Sequence, residues 1–416
     1  MGAKTRVVVI GGGFAGLETL FCLRHRLGDG VDLSLVSNDK NFVFRPDTIY
    51  VPFGADPKRF VVPLSRILAD MRIEFLYDRA RAIDCQNGVV ALREKEVRYD
   101  YLVVASGASV LADEVPGLAE HATSLWTVGG MLKLRRGYER LIEDARRGAR
   151  RKLLFLLPRH NLCASPLYEM ILLTDTWLRS RQAREPVELT LATYEDNLIE
   201  AFGRPFDALI RERFAQRGVA VHAGVVVSEV EPDRCCFTNG ERLDFDMLVS
   251  FPPHVVPKPF EGMPNDERGY VRVLRDSRRV VGQDRVFAAG DAAAHPVKRA
   301  YLALLQADAA AEHIAAEIEG RAPTMSFENA SMTLLEAIKR TTFDRGTSKP
   351  EHRSPANQGG TFPDRIEVGV SPLWRAGTRA VGLHLPWRLG PGEPFHTRLG
   401  SLGRGSEPPE SNTENP

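Results

Sequence analysis

The sequence predicts an α/β protein built on doubly wound parallel sheets, and three observations predict it. An apolar strand, Arg6–Ile10, an amphipathic helical stretch, Gly16–Leu27, and a second strand, Val31–Val36, follow one another at the spacing of a βαβ unit. A glycine-rich turn, Gly11-Gly12-Gly13-Phe14-Ala15-Gly16, joins the first strand to the helix. The third observation is an internal echo. Residues 82–108 and 230–253 each read as a strand, an Asn-Gly turn (Asn87-Gly88, Asn239-Gly240), a second strand and an aromatic-Asp-x-Leu-Val strand. Together they predict two tandem Rossmann-like dinucleotide-binding domains.

The rest of the chain is placed around that repeat. The apolar run Val286-Phe287-Ala288-Ala289 ends in Gly290-Asp291 and leads into an Ala-rich helix through about Glu319 that carries Gln306. The expected division is 1–115 and 253–325 for the first domain, 116–252 for the second, and 326–395 for an irregular C-terminal region rich in Arg, Trp and Pro. Residues 344–364 and a tail over 396–416 have a linker-like, disordered composition.

Composition narrows the function classes. With 416 residues, 43% of them hydrophobic and 26% charged, the chain can bury more than one core. A formal net charge of +1 gives no reason to expect a nucleic-acid partner. The five cysteines, Cys22, Cys85, Cys163, Cys235 and Cys236, show neither a disulfide framework nor zinc spacing, so no metal and a reducing compartment are expected. Cys235 and Cys236 fall on a hairpin strand, where one side chain should face the core and the other outward. The first strand begins too early for a signal peptide, and Arg6 stands where a myristoylation motif needs Ser or Thr. No apolar run is long enough to span a bilayer, so a cytoplasmic protein is expected.

The turn after the first strand is the strongest chemical signal. Gly11 permits the tight turn, Gly13 lets backbone approach a pyrophosphate, and Gly16 allows the helix to pack on the strand; the amides of Phe14 and Ala15 open a helix whose N-terminus favours negative charge. The acid expected about 20 residues on, for the adenosine ribose, is replaced by Ser37-Asn38, with Asp39 next. Ala105-Ser106-Gly107 ends another strand with small residues, and Gly290-Asp291 offers a carboxylate to a polyol beside a further helix start. This set fits FAD. The second half lacks the equivalent turn: Lys152–Leu157 runs into Pro158-Arg159-His160-Asn161-Leu162-Cys163-Ala164-Ser165-Pro166, and no glycine lies between Lys152 and Gly203. A pyrophosphate is hard to place there, so a nicotinamide site is not expected.

These residues resemble the sulfide:quinone oxidoreductases and flavocytochrome c sulfide dehydrogenases, and more distantly the type II NADH dehydrogenases, over about residues 5–320. The shared segments are Asn41-Phe42-Val43-Phe44-Arg45-Pro46, Val51-Pro52-Phe53-Gly54, Cys163-Ala164-Ser165-Pro166-Leu167-Tyr168-Glu169, Pro252-Pro253 and Gly290-Asp291 with Lys298. The resemblance implies a glutathione reductase-like FAD/NAD(P)-binding fold. It places Pro46 and Lys298 against the flavin, Cys163 as a redox thiol near it, and Glu169 as a group that orients the ring or relays a proton. It implies a small-molecule electron donor and a quinone or protein electron acceptor. The chain departs from the group in one respect: no cysteine follows Cys236 to pair with Cys163. Alternatives left open are a small buried thiol for Cys163, a surface carboxylate for Glu169, an NADH-dependent dehydrogenase of the same fold, and a flavin-holding sensor without turnover. A thiolate at Cys163 would be favoured by the following helix start, with Arg159 or His160 nearby. The Trp-Arg pairs in Gly369–Arg375 and Gly382–Leu389 suit either peripheral contact with the inner face of a membrane or packing on the flavin domain or a second subunit of a homodimer.

Overall fold

A computed structural model describes residues 4–200, 204–256, 258 and 260–327, the backbone of three strands between 330 and 371, and residues 392 and 394. Along the chain run β1 (Thr5–Ile10), α1 (Phe14–Leu27), β2 (Val31–Ser37), β3 (Glu74–Tyr77), β4 (Tyr101–Val104), β5 (Ala122–Ser124), α2 (Val128–Arg146), β6 (Arg151–Leu157), α3 (Ser165–Ser180), β7 (Val187–Thr193), α4 (Arg204–Gln216), β8 (Val219–His222), β9 (Met247–Ser250), β10 (Val286–Ala288) and α5 (Ala300–Glu319). Two parallel five-stranded sheets result, in the orders β10-β4-β1-β2-β3 and β5-β9-β6-β7-β8. Both expected dinucleotide-type folds are present.

Strand alternation explains the layers. Val7 and Val9 of β1 pack with Leu17, Leu20 and Phe21 of α1 and with the alanines of α5, while Val8 and Ile10 point to the opposite face with Leu102, Val104 and Val90. Ala307, Ala310 and Ala311 let α5 approach α1 closely. A buried polar network crosses the same contact: Arg26 Nη2 donates to Asp308 at 2.8 Å and Arg321 Nη1 to Glu312 at 2.7 Å. In the second sheet, Leu153, Phe155 and Leu157 face the core beneath α2 and α3, and Leu154 and Leu156 face the other side.

The internal echo is real but offset. Each sheet carries a three-stranded antiparallel meander, at Ala82–Asp84, Val89–Ala91 and Glu96–Arg98 and at Val227–Val230, Arg234–Phe237 and Arg242–Asp244. Asn87-Gly88 makes the first hairpin of one meander, whereas Asn239-Gly240 makes the second hairpin of the other. The Asn-Gly turns are therefore not equivalent positions, because the same turn chemistry serves any tight hairpin. Cys235 joins the core as expected, but Cys236 is covered too, at 8% exposure, its thiol turned to Glu231.

The C-terminal region contains an antiparallel sheet of Ala330–Ala337, Arg340–Thr347 and Arg365–Ser371. Residues 344–347, expected in a linker, belong to its central strand, where a ladder on both sides outweighs composition. The linker from 348 to 364, both Trp-Arg pairs and the tail over 396–416 lie outside the described residues.

Candidate functional site

In both sheets the strand order reverses direction beside the central strand, and the crevice between the diverging connections is where such folds bind ligands. In the first sheet the reversal lies between β1 and β4. A Cβ on Gly11 would overlap the carbonyl oxygen of Ala105, and Gly11 holds φ +109, so only glycine lets the two turns meet. A Cβ on Gly16 would overlap the carbonyl oxygen of Gly11. Gly13 differs: nothing lies within 4 Å of the space its Cβ would take. No side chain caps α1, and no acid sits in its first turn, so its amides face the open space uncompensated. Close packing on two glycines and open space at the third form a cradle for a diphosphate.

Ser106 and Gly107 border this cradle after β4, and Gly290 closes it from β10, its missing Cβ lying 2.8 Å from the Cβ of Ala15. The Gly290 amide donates to Gln306 Oε1 at 3.1 Å, and Arg278 Nη2 donates to the same oxygen at 2.8 Å. Gln306 is thus a buried positioning residue for the turn. Phe14 packs edge-on against Phe42 and Phe44, with centroids 5.0 and 5.5 Å away, which ties the aromatic-rich segment to the helix start. Ser37 is buried at the end of β2, where its Oγ accepts from the Asp39 amide at 3.1 Å. Asn38 is exposed, and Asp39 Oδ1 accepts from the Asn41 amide at 2.9 Å. Neither Ser37 nor Asp39 is a free carboxylate of the kind the ribose position usually carries.

Asp291 accepts no hydrogen bond from any described residue. Burial raises its pKa, and the charges of Lys298 and Arg45 oppose that rise. Lys298 is buried, its Nζ donates to the Ala293 carbonyl at 2.7 Å and stands 3.8 Å from the Tyr270 ring centroid. Burial lowers its pKa to about 8, with Asp291 pulling the other way. Pro46 opens the helical turn Arg45–Phe53 and is exposed; Arg45 beside it donates to the Trp126 carbonyl at 2.9 Å and lies 4.6 Å over the Trp126 ring. An orphan carboxylate between two cations, above an uncapped helix start, fits a nucleotide with a polyol and a diphosphate.

The second sheet reverses between β6 and β9, and there the crevice is filled by protein. Asn161 Nδ2 donates to the carbonyls of Phe251 and Pro252, at 2.8 and 3.1 Å, and Asn161 Oδ1 accepts from the Cys163 amide at 2.9 Å. His160, at φ +62, pairs with Glu114, which also accepts from Arg268 Nη2 at 2.6 Å. The Leu162 amide donates to His254 Nδ1 at 3.3 Å, and the Lys298 amide donates to the Leu162 carbonyl at 2.8 Å. The loop from β6 to α3 is therefore strapped to the first domain's turn, which carries Cys163 to Asp291 and Arg299.

Burial pushes the Cys163 thiol up to about 12; Arg299 lowers it and Asp291 raises it further. The cation that acts on this thiol is Arg299, not Arg159 or His160, and the group rests as a thiol at neutral pH. Glu169 lies one turn into α3, half-buried. All five cysteines are free thiols. Arg45, Trp126, Asn161, His254, Tyr270 and Arg299 were assigned no role from sequence. Arg45 and Asn161 lie inside the segments Asn41–Pro46 and Pro158–Pro166, and His254 follows Pro252-Pro253, which was a usable signal; nothing local marks Trp126.

Residues 5–142 and 178–311 match the family described as pyridine nucleotide-disulphide oxidoreductase. The chain belongs to that family. The family is FAD-dependent, and the cradle fits FAD: the amides of α1 for the diphosphate and Asp291 for the polyol. The chain is similar to the "Sulfide-quinone reductase" of Aquifex aeolicus, 30% identical over 239 residues, which cover 56% of this chain and 54% of that one. It thus matches about half the length of that relative. It is also similar to the "NADH dehydrogenase-like protein Rv1812c" of Mycobacterium tuberculosis, 27% identical over 316 residues, covering 72% and 76% of the two chains. Among solved structures, the sulfide:quinone oxidoreductase of Aquifex aeolicus superposes with a TM-score of 0.85 at 22% identity, covering 98% of this chain and 96% of that one. A ferredoxin reductase of Rhodopseudomonas palustris gives 0.68 at 16% identity, covering 91% and 93%. These likenesses show the fold.

Proposed function

We propose that this chain is an FAD-dependent oxidoreductase of the sulfide:quinone oxidoreductase-like group, which passes electrons from a small reduced donor to a quinone or protein acceptor and binds no nicotinamide in its second domain. The observation that carries this reading is the strapped loop at 158–164. Where a second dinucleotide would need open backbone, Asn161 fills the crevice, and the same loop delivers Cys163 to the flavin turn. FAD, when bound, supplies a two-electron acceptor that can pass electrons on. The chain's residues hold and tune it: Gly11, Gly13, Phe14, Ala15 and Gly16 with Ala105, Ser106 and Gly107 hold the diphosphate, and Gly290 and Asp291 hold the polyol. Pro46 bounds the ring, and Lys298 sets positive charge beside it. Ser37 and Asn38 border the adenosine ribose. Cys163 and Glu169 stand on the donor side, the thiol as a neutral group. The proposed division is 1–115 with 253–325, 116–252, and 326–395.

A steady-state assay with a water-soluble quinone tests the reading. Sulfide as donor should sustain quinone reduction, and NADH should not; turnover with NADH at the sulfide rate would overturn it. The similarity to NADH dehydrogenase-like proteins makes NADH the competing donor to include.

A further inference from the structure

Lys298 is a cation without the usual company. It is 3% exposed, it forms no ion pair with a described residue, and its Nζ donates one hydrogen bond, to the Ala293 carbonyl at 2.7 Å. A buried ammonium sheds its proton unless some other group stands in for water. An aromatic face does so here: the Tyr270 ring centroid lies 3.8 Å from Nζ. The negative face of a ring attracts a cation, and most strongly where neither is solvated. The other charged groups acting on Lys298 are Asp291 and Asp266, which favour the ammonium, and Arg278, which opposes it. His254, on the adjoining strand, is kept neutral in part by the Lys298 charge.

The backbone holds Tyr270 for this contact. The stretch 270–273 alternates: Val271 and Val273 pack with the core of the first sheet, and Tyr270 turns the other way. The Val271 amide donates to the Ala292 carbonyl at 2.9 Å, and the Ala294 amide donates to the Val271 carbonyl at 2.8 Å. Tyr270 is thereby stitched to the segment whose Ala293 carbonyl accepts from Lys298. Asp266 Oδ1 accepts from the Tyr270 amide at 2.9 Å. The side chain is 3% exposed, and its hydroxyl has no hydrogen-bond partner among the described residues. A buried hydroxyl left unpaired costs free energy, so what this side chain contributes lies in the ring face. We infer that Tyr270 is a positioning residue whose ring face keeps Lys298 charged and through it sets the reduction potential of the flavin. The inference rests on the proposed place of Lys298 beside the flavin ring, where a full positive charge favours the reduced form and its loss lowers the potential.

NMR titration of the flavoprotein carrying 13C-labelled lysine, with Lys298→Met to assign the signal, reads the proton on Lys298 directly. Replacing Tyr270 by pentafluorophenylalanine keeps a ring in place but removes its negative face. That form should titrate about one pH unit lower at Lys298, a tenfold loss of proton affinity. Tyr270→Leu should do the same, whereas Tyr270→Phe should titrate with the parent. The flavin midpoint potential of the two altered forms should match the parent at pH 6, where Lys298 is charged in all of them, and fall below it at pH 8. A pentafluorophenylalanine form that titrates with the parent, or a potential lowered equally at both pH values, would overturn the inference. A shifted Lys298 titration with the parent's potential at both pH values would leave the Tyr270 contact standing and count instead against Lys298 lying beside the flavin.

Discussion

Gly13 and Gly16 are the same residue three positions apart, yet they do different jobs. Gly16 is needed by the protein: an added methyl would overlap the Gly11 carbonyl, so Gly16→Val should lower stability as well as flavin content. Overpacking at such a contact costs about 1–3 kcal/mol. Gly13 is needed by the ligand: nothing of the protein lies within 4 Å of its missing Cβ. Gly13→Leu should therefore melt like the parent apoprotein yet purify pale. Thermal unfolding of both apoproteins beside their flavin absorbance separates the two roles, and a destabilised Gly13 variant would contradict the assignment. Both glycines were legible in sequence from their spacing behind a strand. That only one of them leaves room for a ligand was not, because it depends on how closely Ala105 and Gly11 approach across 94 residues of chain.

At the scale of an element, the loop between β6 and α3 decides what the second domain can do. Its sequence announced a missing glycine turn, but not what takes the turn's place, since the partners are the distant residues Glu114, Phe251, His254, Arg268 and Lys298. His254 grips this loop through Nδ1, which accepts from the Leu162 amide and must therefore be unprotonated. Burial lowers the pKa of His254 to about 3, and the charges of Lys298 and Arg268 add to the fall. The folded value lies below the unfolded value of 6.5, so the fold favours the neutral ring. That stability is fully present above pH 6.5 and is lost as pH falls toward 3. Denaturant unfolding between neutral pH and pH 4 should show a steeper acid loss in the parent than in His254→Asn, by a few kcal/mol. Parallel curves would mean that the ring carries its charge in the fold.

For the whole molecule, the two sheets share a plan, and one of them has been turned to another use. The run Val7–Ile10 buried on both faces, the small-residue strand ends and the paired meanders made the plan readable. The C-terminal sheet was not readable, because composition at 344–347 says linker while ladders on two sides say strand. In the first sheet the reversal point opens onto the uncapped start of α1; in the second it is sealed by Asn161 and strapped by His254. We propose that one sheet holds the flavin nucleotide and that the other serves as a wall that carries Cys163 to it. Anaerobic titration of the purified yellow protein, followed at the flavin absorption band, tests this division most directly. Sulfide should bleach the band while NADH at the same excess leaves it unchanged; bleaching by NADH within turnover time would contradict the account.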